Sequence, residues 1–373
     1  MANMKSMRQT KPSVGILVNP ASGRDLRRLV AKASVFQNTE KCNMVYRLLG
    51  ALGVMGVGEV FMMPDVAGVA CHIRHSLQHG RHGNPDLMPA VHFLEMPIED
   101  SPVDTLRAIE LMVSRGVSVI VVMGGDGTHR LVAKKSGAVP LVTLSTGTNN
   151  AFPEIREATV AGLAAGLVAM EKVALSDVCL RNKILHLDKN GVIKDVALVD
   201  ICLTSVCWVG TKAIWLVECL KELFVTFAES DAVGLSSIAG LVRPVSRCSP
   251  YGLRLKLVPP GEGMMTVTAP IAPGLMAPVG IASMKEIRRM EVQTIESTSG
   301  TIALDGEREI EFGENDRLKV WLETNGPVIV NISKALDQAV KNRVFVEFQM
   351  QEHCFDLGNG KESAHSIDGG RSN

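Results

Sequence analysis

The sequence predicts an α/β N-terminal domain with a doubly wound, mostly parallel sheet, joined to an all-β, sandwich-like second domain. Three observations carry this. Up to about residue 170, short β-branched runs alternate with segments of helical period. The run Val117 to Met123 stops abruptly at Gly124-Gly125-Asp126-Gly127-Thr128, as a buried parallel strand does when it ends in a ligand-facing loop. From about residue 184 the pattern becomes one of successive strands broken by Asn190-Gly191, Pro259-Pro260-Gly261, Gly274, Ser299-Gly300 and Gly313.

Taken in order, Val14 to Val18 is a first strand, left by the loop Asn19-Pro20-Ala21-Ser22-Gly23-Arg24-Asp25 and a helix over Leu26 to Phe36. A helix over Asn43 to Leu52 and a strand over Glu59 to Met63 follow. Residues 66 to 79 read as a helix with His72, His75 and His79 on one face and His82 just beyond. No carboxylate or cysteine completes a ligand spacing there, so a solvent-facing stripe is expected rather than a metal site. Pro89 to Met96 is a strand, and Ser101-Pro102-Val103-Asp104 starts a helix to about Ser114 with Ser101 as its cap. In the Gly124 to Thr128 loop, glycines permit positive φ and leave no Cβ between the backbone N–H groups and a phosphate.

A strand over Val139 to Leu144 delivers a second polar loop, Ser145-Thr146-Gly147-Thr148-Asn149-Asn150-Ala151-Phe152-Pro153, before a helix over Glu154 to Met170. A hairpin turning at Asn190-Gly191 and a strand over Asp195 to Val206 come next. A Trp-bearing helical stretch is expected at Ala213 to Ala228, then a Gly/Ser-rich segment and the strands of 251 to 322. Asp305-Gly306-Glu307 lies at a strand end, where a hairpin turn is the ordinary reading. Val328 to Val330 and a Ser333-capped helix to Lys341 return to the first domain. The expected division is 1–155, completed by about 328–350, then 156–327 and a polar, flexible tail at 351–373.

With 46% hydrophobic and 4% aromatic residues, the 373-residue chain suits Ala/Val/Leu packing. Its 39 basic and 39 acidic residues cancel, so no global field recruits nucleic acid or an anionic membrane, and any anion site must be local. Eight cysteines without a Cys-x-x-Cys, mostly inside apolar runs, read as packed thiols. With no signal-peptide pattern and no apolar run of membrane-spanning length, a cytoplasmic location is expected. The first loop lacks Gly-x-Gly-x-x-Gly, which argues against a dinucleotide oxidoreductase.

Four marks in order, Asn19-Pro20-x-Ser22-Gly23, Gly124-Gly125-Asp126-Gly127-Thr128, Gly147-Thr148-Asn149-Asn150-Ala151-Phe152 and Asp305-Gly306-Glu307, resemble the superfamily that joins NAD kinases with diacylglycerol and sphingosine kinases. The first and third marks look most like a bacterial branch grouped with the ATP–NAD kinases and linked to acetoin breakdown. The resemblance implies a nucleotide site, ATP or a related nucleotide, in the cleft between the domains, with Mg2+ if the protein is catalytic. It implies a cradle formed by Asn19, Ser22, Gly23, Gly124, Gly125, Gly127, Thr128, Gly147, Thr148, Asn149, Asn150 and Glu307. Asp126 would orient the metal or take the acceptor proton, and Asp305 is the rival base.

Two departures stand out. Arg130-Leu131 follows His129 where lipid kinases often carry Asn-Glu, and Phe152-Pro153-Glu154-Ile155 stands where NAD kinases carry Asn-Glu-x-x-Asp. The expected function is phosphoryl transfer to a small hydroxylated acceptor. A non-catalytic, ATP- or NAD-binding accessory protein is the alternative. A homodimer is expected, from base rates and the apolar segment at 208 to 240.

Overall fold

The computed structural model describes residues 12–23, 36–79, 88–148, 150–209, 217–296 and 298–346. The expected helix over 26–36 lies almost wholly outside them, as do His82, Asn149 and the tail.

The first sheet has the order β3-β2-β1-β4-β5-β18-β6. Its strands are β1 (Ser13–Val18), β2 (Glu59–Met62), β3 (Ala90–Phe93), β4 (Val119–Gly124), β5 (Leu141–Ser145), β18 (Val328–Val330) and β6 (Cys179–Arg181). All neighbours are parallel except β18 and β6. β1 and β4 are buried throughout, and their period of two sorts one apolar run onto two cores. Val14, Ile16, Val119, Val121 and Met123 face a cluster shared with α1 (Asn38–Val54), α2 (Val69–His79), α5 (Ala158–Ala169) and α8 (Ile332–Lys341). Leu17, Ile120 and Val122 face the opposite cluster, built on α3 (Pro102–Ser114). Ser101 caps α3 and forms a capping box with Asp104.

The antiparallel region holds two sheets. One has the order β12-β13-β11-β10-β9-β15-β16, and the other β14-β17-β7-β8. The larger comprises β9 (Asp200–Thr204), β10 (Leu220–Val225), β11 (Tyr251–Val258), β12 (Met265–Ala272), β13 (Leu275–Arg288), β15 (Gly300–Leu304) and β16 (Glu307–Phe312). The smaller comprises β7 (Ile184–Lys189), β8 (Val192–Ala197), β14 (Gln293–Ile295) and β17 (Leu318–Glu323). Leu185, Leu187, Val320 and Leu322 of the smaller sheet share a core with Ile201, Leu203, Phe224 and Ile302 of the larger, as in a sandwich. Two short helices, α6 (Leu175–Val178) and α7 (Ser236–Gly240), and a 3-10 turn at Val217–Cys219 lie outside the site.

Four expectations need correction. The Trp-bearing helix is not formed where described: Leu220 to Val225 is a central strand paired with both β9 and β11, and its Leu-Phe-Val run has no period that separates strand from buried helix. The strand expected over 195 to 206 breaks at Leu198-Val199, whose amides turn toward the Asp305 carboxylate. Helix α5 starts at Ala158, capped by Glu157, because Glu154 is held in a bridge to Leu144. Asn331, not Ser333, caps α8 by accepting from the Lys334 amide.

Candidate functional site

Gly124 ends β4, Gly125 is the N-cap residue of α4 (Asp126–Ala133), and Asp126 is that helix's first residue. None of Gly124, Gly125 and Gly127 has positive φ, contrary to the expectation for this loop. These glycines are needed for close approach instead. A Cβ on Gly124 would stand 2.5 Å from Thr128 Cβ, and one on Gly125 2.9 Å from Asn150 Oδ1. Of the glycines expected to form a cradle, Gly23 alone uses the left-handed region, at φ 80°.

The three loops bind one another. Asn19 Nδ2 donates to Thr128 Oγ1 at 2.8 Å, and the Ser22 and Thr146 hydroxyls meet at 2.8 Å. Asn150 donates to Ser145 Oγ and accepts from the Asp126 amide through Oδ1. The Asp126 carboxylate accepts from the amides of Ala151 at 3.0 Å and Phe152 at 2.9 Å. The carbonyls of those two residues accept from Arg247, which also pairs with Glu229 and lies over the Phe152 and Phe227 rings. The loop at 150–152 is thus held between a carboxylate of the parallel half and a guanidinium of the antiparallel half.

Asp305 and Gly306 have φ 50° and 78° and form the two-residue turn between β15 and β16, so the hairpin reading is correct. The Asp305 side chain nevertheless points inward, with no exposure. It accepts from the amides of Leu198, Val199 and Asp200 at 2.8 to 3.3 Å. Burial pushes its pKa up to about 7; Arg130, with Nε 3.9 Å away, opposes this and Asp126 adds to it. The Arg130 pKa is raised although burial acts to lower it, because Asp305, Glu309 and Asp195 outweigh that cost. His129, buried against Phe152 with Nδ1 2.9 Å from the Gly125 carbonyl, is depressed to about 4 by burial and stays neutral.

These parts open onto a cavity of about 790 Å³. Its lining includes Asn19, Ser22, Gly23, Gly125, Asp126, Gly127, Thr128, Gly147, Thr148, Asn150, Asp305 and Glu307. Gly124 lies beneath as the strand end, and Asn149 is outside the described residues. Thr148 Oγ1 is buried without a hydrogen-bond partner. The Glu307 carboxylate stands 3.9 Å from where a Gly127 Cβ would point. Among the described residues no three His, Cys, Asp or Glu side chains converge as a metal cage. A divalent ion here would rely on one or two carboxylates and on the phosphates it accompanies, as Mg2+ commonly does.

The chain pattern did not reveal Lys41, Arg247 or Glu309. Lys41 is fully buried, and its ammonium donates to the carbonyls of Asn19, Pro20 and Ser22, which folds the first loop. Each acts across a long sequence gap, and nothing local marks it. The histidine stripe is exposed, with His75 and His79 stacked at 4.0 Å. The seven described cysteines are free; Cys42 and Cys202 are buried, but Cys71, Cys207 and Cys248 are exposed rather than packed. Among the described residues no helix is long and apolar enough to cross a membrane.

Residues 14–172 match the ATP-NAD kinase N-terminal domain, and residues 183–325 match the acetoin catabolism protein X C-terminal domain. A relative from Cupriavidus necator, acetoin catabolism protein X, is 42% identical over 340 residues, which is 90% of this chain and 94% of that protein. The chain belongs to the acetoin catabolism protein X family. In this family member the four marks of the sequence fall on three loops and one hairpin turn around a single cavity. Among solved structures, an NAD kinase from Archaeoglobus fulgidus in complex with ATP is 14% identical. It covers 78% of this chain and all of that one, at a TM-score of 0.31.

Proposed function

We propose that the cavity binds a nucleotide, ATP before others, and transfers a phosphoryl group to a small hydroxylated acceptor in acetoin breakdown. The observation behind it is the convergence of the 19–23, 124–128 and 145–150 loops at the carboxyl ends of β1, β4 and β5, beside the amino end of α4. The N–H groups and hydroxyls there form the phosphate cradle. Mg2+, if bound, would neutralise charge on the phosphates, and Asp126 and Glu307 would be the carboxylates to hold it. The acceptor oxygen forms the new bond to the γ-phosphorus as the bond to the β–γ bridging oxygen breaks, and ADP leaves. The acceptor proton goes to Asp126 or Asp305; the raised pKa of Asp305 suits a base at neutral pH, and its enclosure favours Asp126.

One observation favours the second reading, a non-catalytic binder: both carboxylates already accept from backbone amides. Titration calorimetry with ATP, alone and with Mg2+, followed by assay of ADP release against hydroxylated acceptors, separates the two. Saturable binding with no Mg2+-dependent ADP release would leave the binder; absence of ATP binding would remove the kinase, and absence of binding in a further titration with NAD would remove the binder too. A homodimer is also proposed, using the face around Trp208, which is 72% exposed. Sedimentation giving only monomer at micromolar concentration would exclude it.

A further inference from the structure

Arg130 is 3% exposed and is the sole lysine or arginine among the described residues lining the cavity. It sits one helical turn below Asp126, away from the glycine cradle, facing the β15–β16 hairpin. Nη2 donates to Glu309 at 2.5 Å. Glu309 is the residue skipped in the ladder where the β15–β16 register shifts, and such an irregularity re-aims a side chain. Nε lies 3.9 Å from Asp305, beyond hydrogen-bond reach, and the Asp305 oxygens are occupied by the amides of 198–200. Asp195 is paired with Lys134 at 2.6 Å. Arg130 Nε and Nη1 therefore carry three N–H groups with no acceptor in the protein.

A brace between helix and hairpin needs only the Glu309 bond. Nearby carboxylates offset the burial of the charge, but three buried donors without an oxygen are still costly, and these border a cavity. The guanidinium fork matches a carboxylate or phosphate in geometry. We propose that Arg130 anchors an oxyanion of the acceptor, so that the acceptor half of the cavity takes a small hydroxylated molecule that also carries a carboxylate or phosphate. The proposal rests on the reading of the cleft as a nucleotide-plus-acceptor site, and it names the chemistry of the second component.

The test uses matched pairs titrated into the full chain: lactate against propane-1,2-diol, and glycerol 3-phosphate against glycerol. In wild type the charged member of one pair binds about tenfold more tightly than its neutral partner. Which pair shows this distinguishes carboxylate from phosphate. The preference disappears in Arg130→Met and is reduced in Arg130→Lys, which keeps the charge and loses the fork. Arg130→Lys carries the test if Arg130→Met does not fold, as judged by its melting curve. Equal binding within both pairs in wild type, a preference that survives the substitution, or no binding of any probe overturns the proposal. MgATP titrated into wild type tests the nucleotide reading separately, because the paired comparison uses no nucleotide.

Discussion

Replacing Asp126 with Asn tests what holds the second loop. The carboxylate accepts two backbone amides, Ala151 at 3.0 Å and Phe152 at 2.9 Å, and Phe152 is buried. Asparagine offers one oxygen and an NH2 group, so one amide keeps its bond and the other faces a donor. The loss is one hydrogen bond to a charged acceptor together with one unsatisfied buried N–H, about 3 kcal/mol in all. That corresponds to roughly a hundredfold in a local opening equilibrium. Amide hydrogen exchange on a peptide covering 150–153 should therefore speed up by about that factor, with strands β1 and β4 unaffected. If the loop forms part of the proposed cradle, ATP affinity should fall as well, and the substitution would not isolate a chemical step. Exchange within about threefold of wild type would refute the brace and leave Asp126 free for other work.

Gly124→Ala places a Cβ 2.5 Å from Thr128 Cβ and should cost about 1–3 kcal/mol in a denaturant titration, whereas Gly127→Ala meets only Glu307 at 3.9 Å and should leave stability level or slightly higher. If Gly127 lies against the phosphates, the same alanine should still weaken ATP binding in calorimetry. Arg247→Met releases the Ala151 and Phe152 carbonyls and should raise the same local exchange as Asp126→Asn, with the double variant less than additive because either loss already loosens the loop; strictly additive effects would show that the two residues do not act on one loop. For pH, the folded-state pKa of Asp305 is raised, so its contribution to stability is fully present below about 4 and is lost as pH rises towards 7; Asp305→Asn should remove that slope in melting curves. His129 has the opposite sign: its depressed pKa withdraws stability as pH falls from about 6.5 to about 4.

The fold was legible because it rests on local patterns. β1 and β4 announce themselves as continuous β-branched runs, and a fully buried parallel strand needs nothing else. The turn residues Asn190-Gly191 and Asp305-Gly306 fixed their hairpins by backbone chemistry. Leu220 to Val225 was misread because a strand buried on both faces has no periodicity to separate it from a helix. The loops that line the cavity are legible because glycine next to Asp or Thr is a local signal. Their supports, Lys41 on the Asn19 loop and Arg247 on Ala151-Phe152, are not, because a long side chain donating to a distant carbonyl leaves no trace in spacing.

The glycines of the central loop also acquire a different meaning. With none of the three at positive φ, the sequence Gly124-Gly125-Asp126-Gly127 is not a flexible turn but a strand passing directly into a helix. Its glycines clear space for Thr128 and Asn150 on one side and open ground before Glu307 on the other. The distinction bears on function. A flexible loop would order around a phosphate on binding, whereas this one is set beforehand by Asn150, which accepts from the Asp126 amide, and by Asn19, which donates to Thr128. A preformed cradle predicts little change in amide exchange over 124–128 when ATP binds, and a larger change at Thr148, whose hydroxyl has no partner until a ligand provides one.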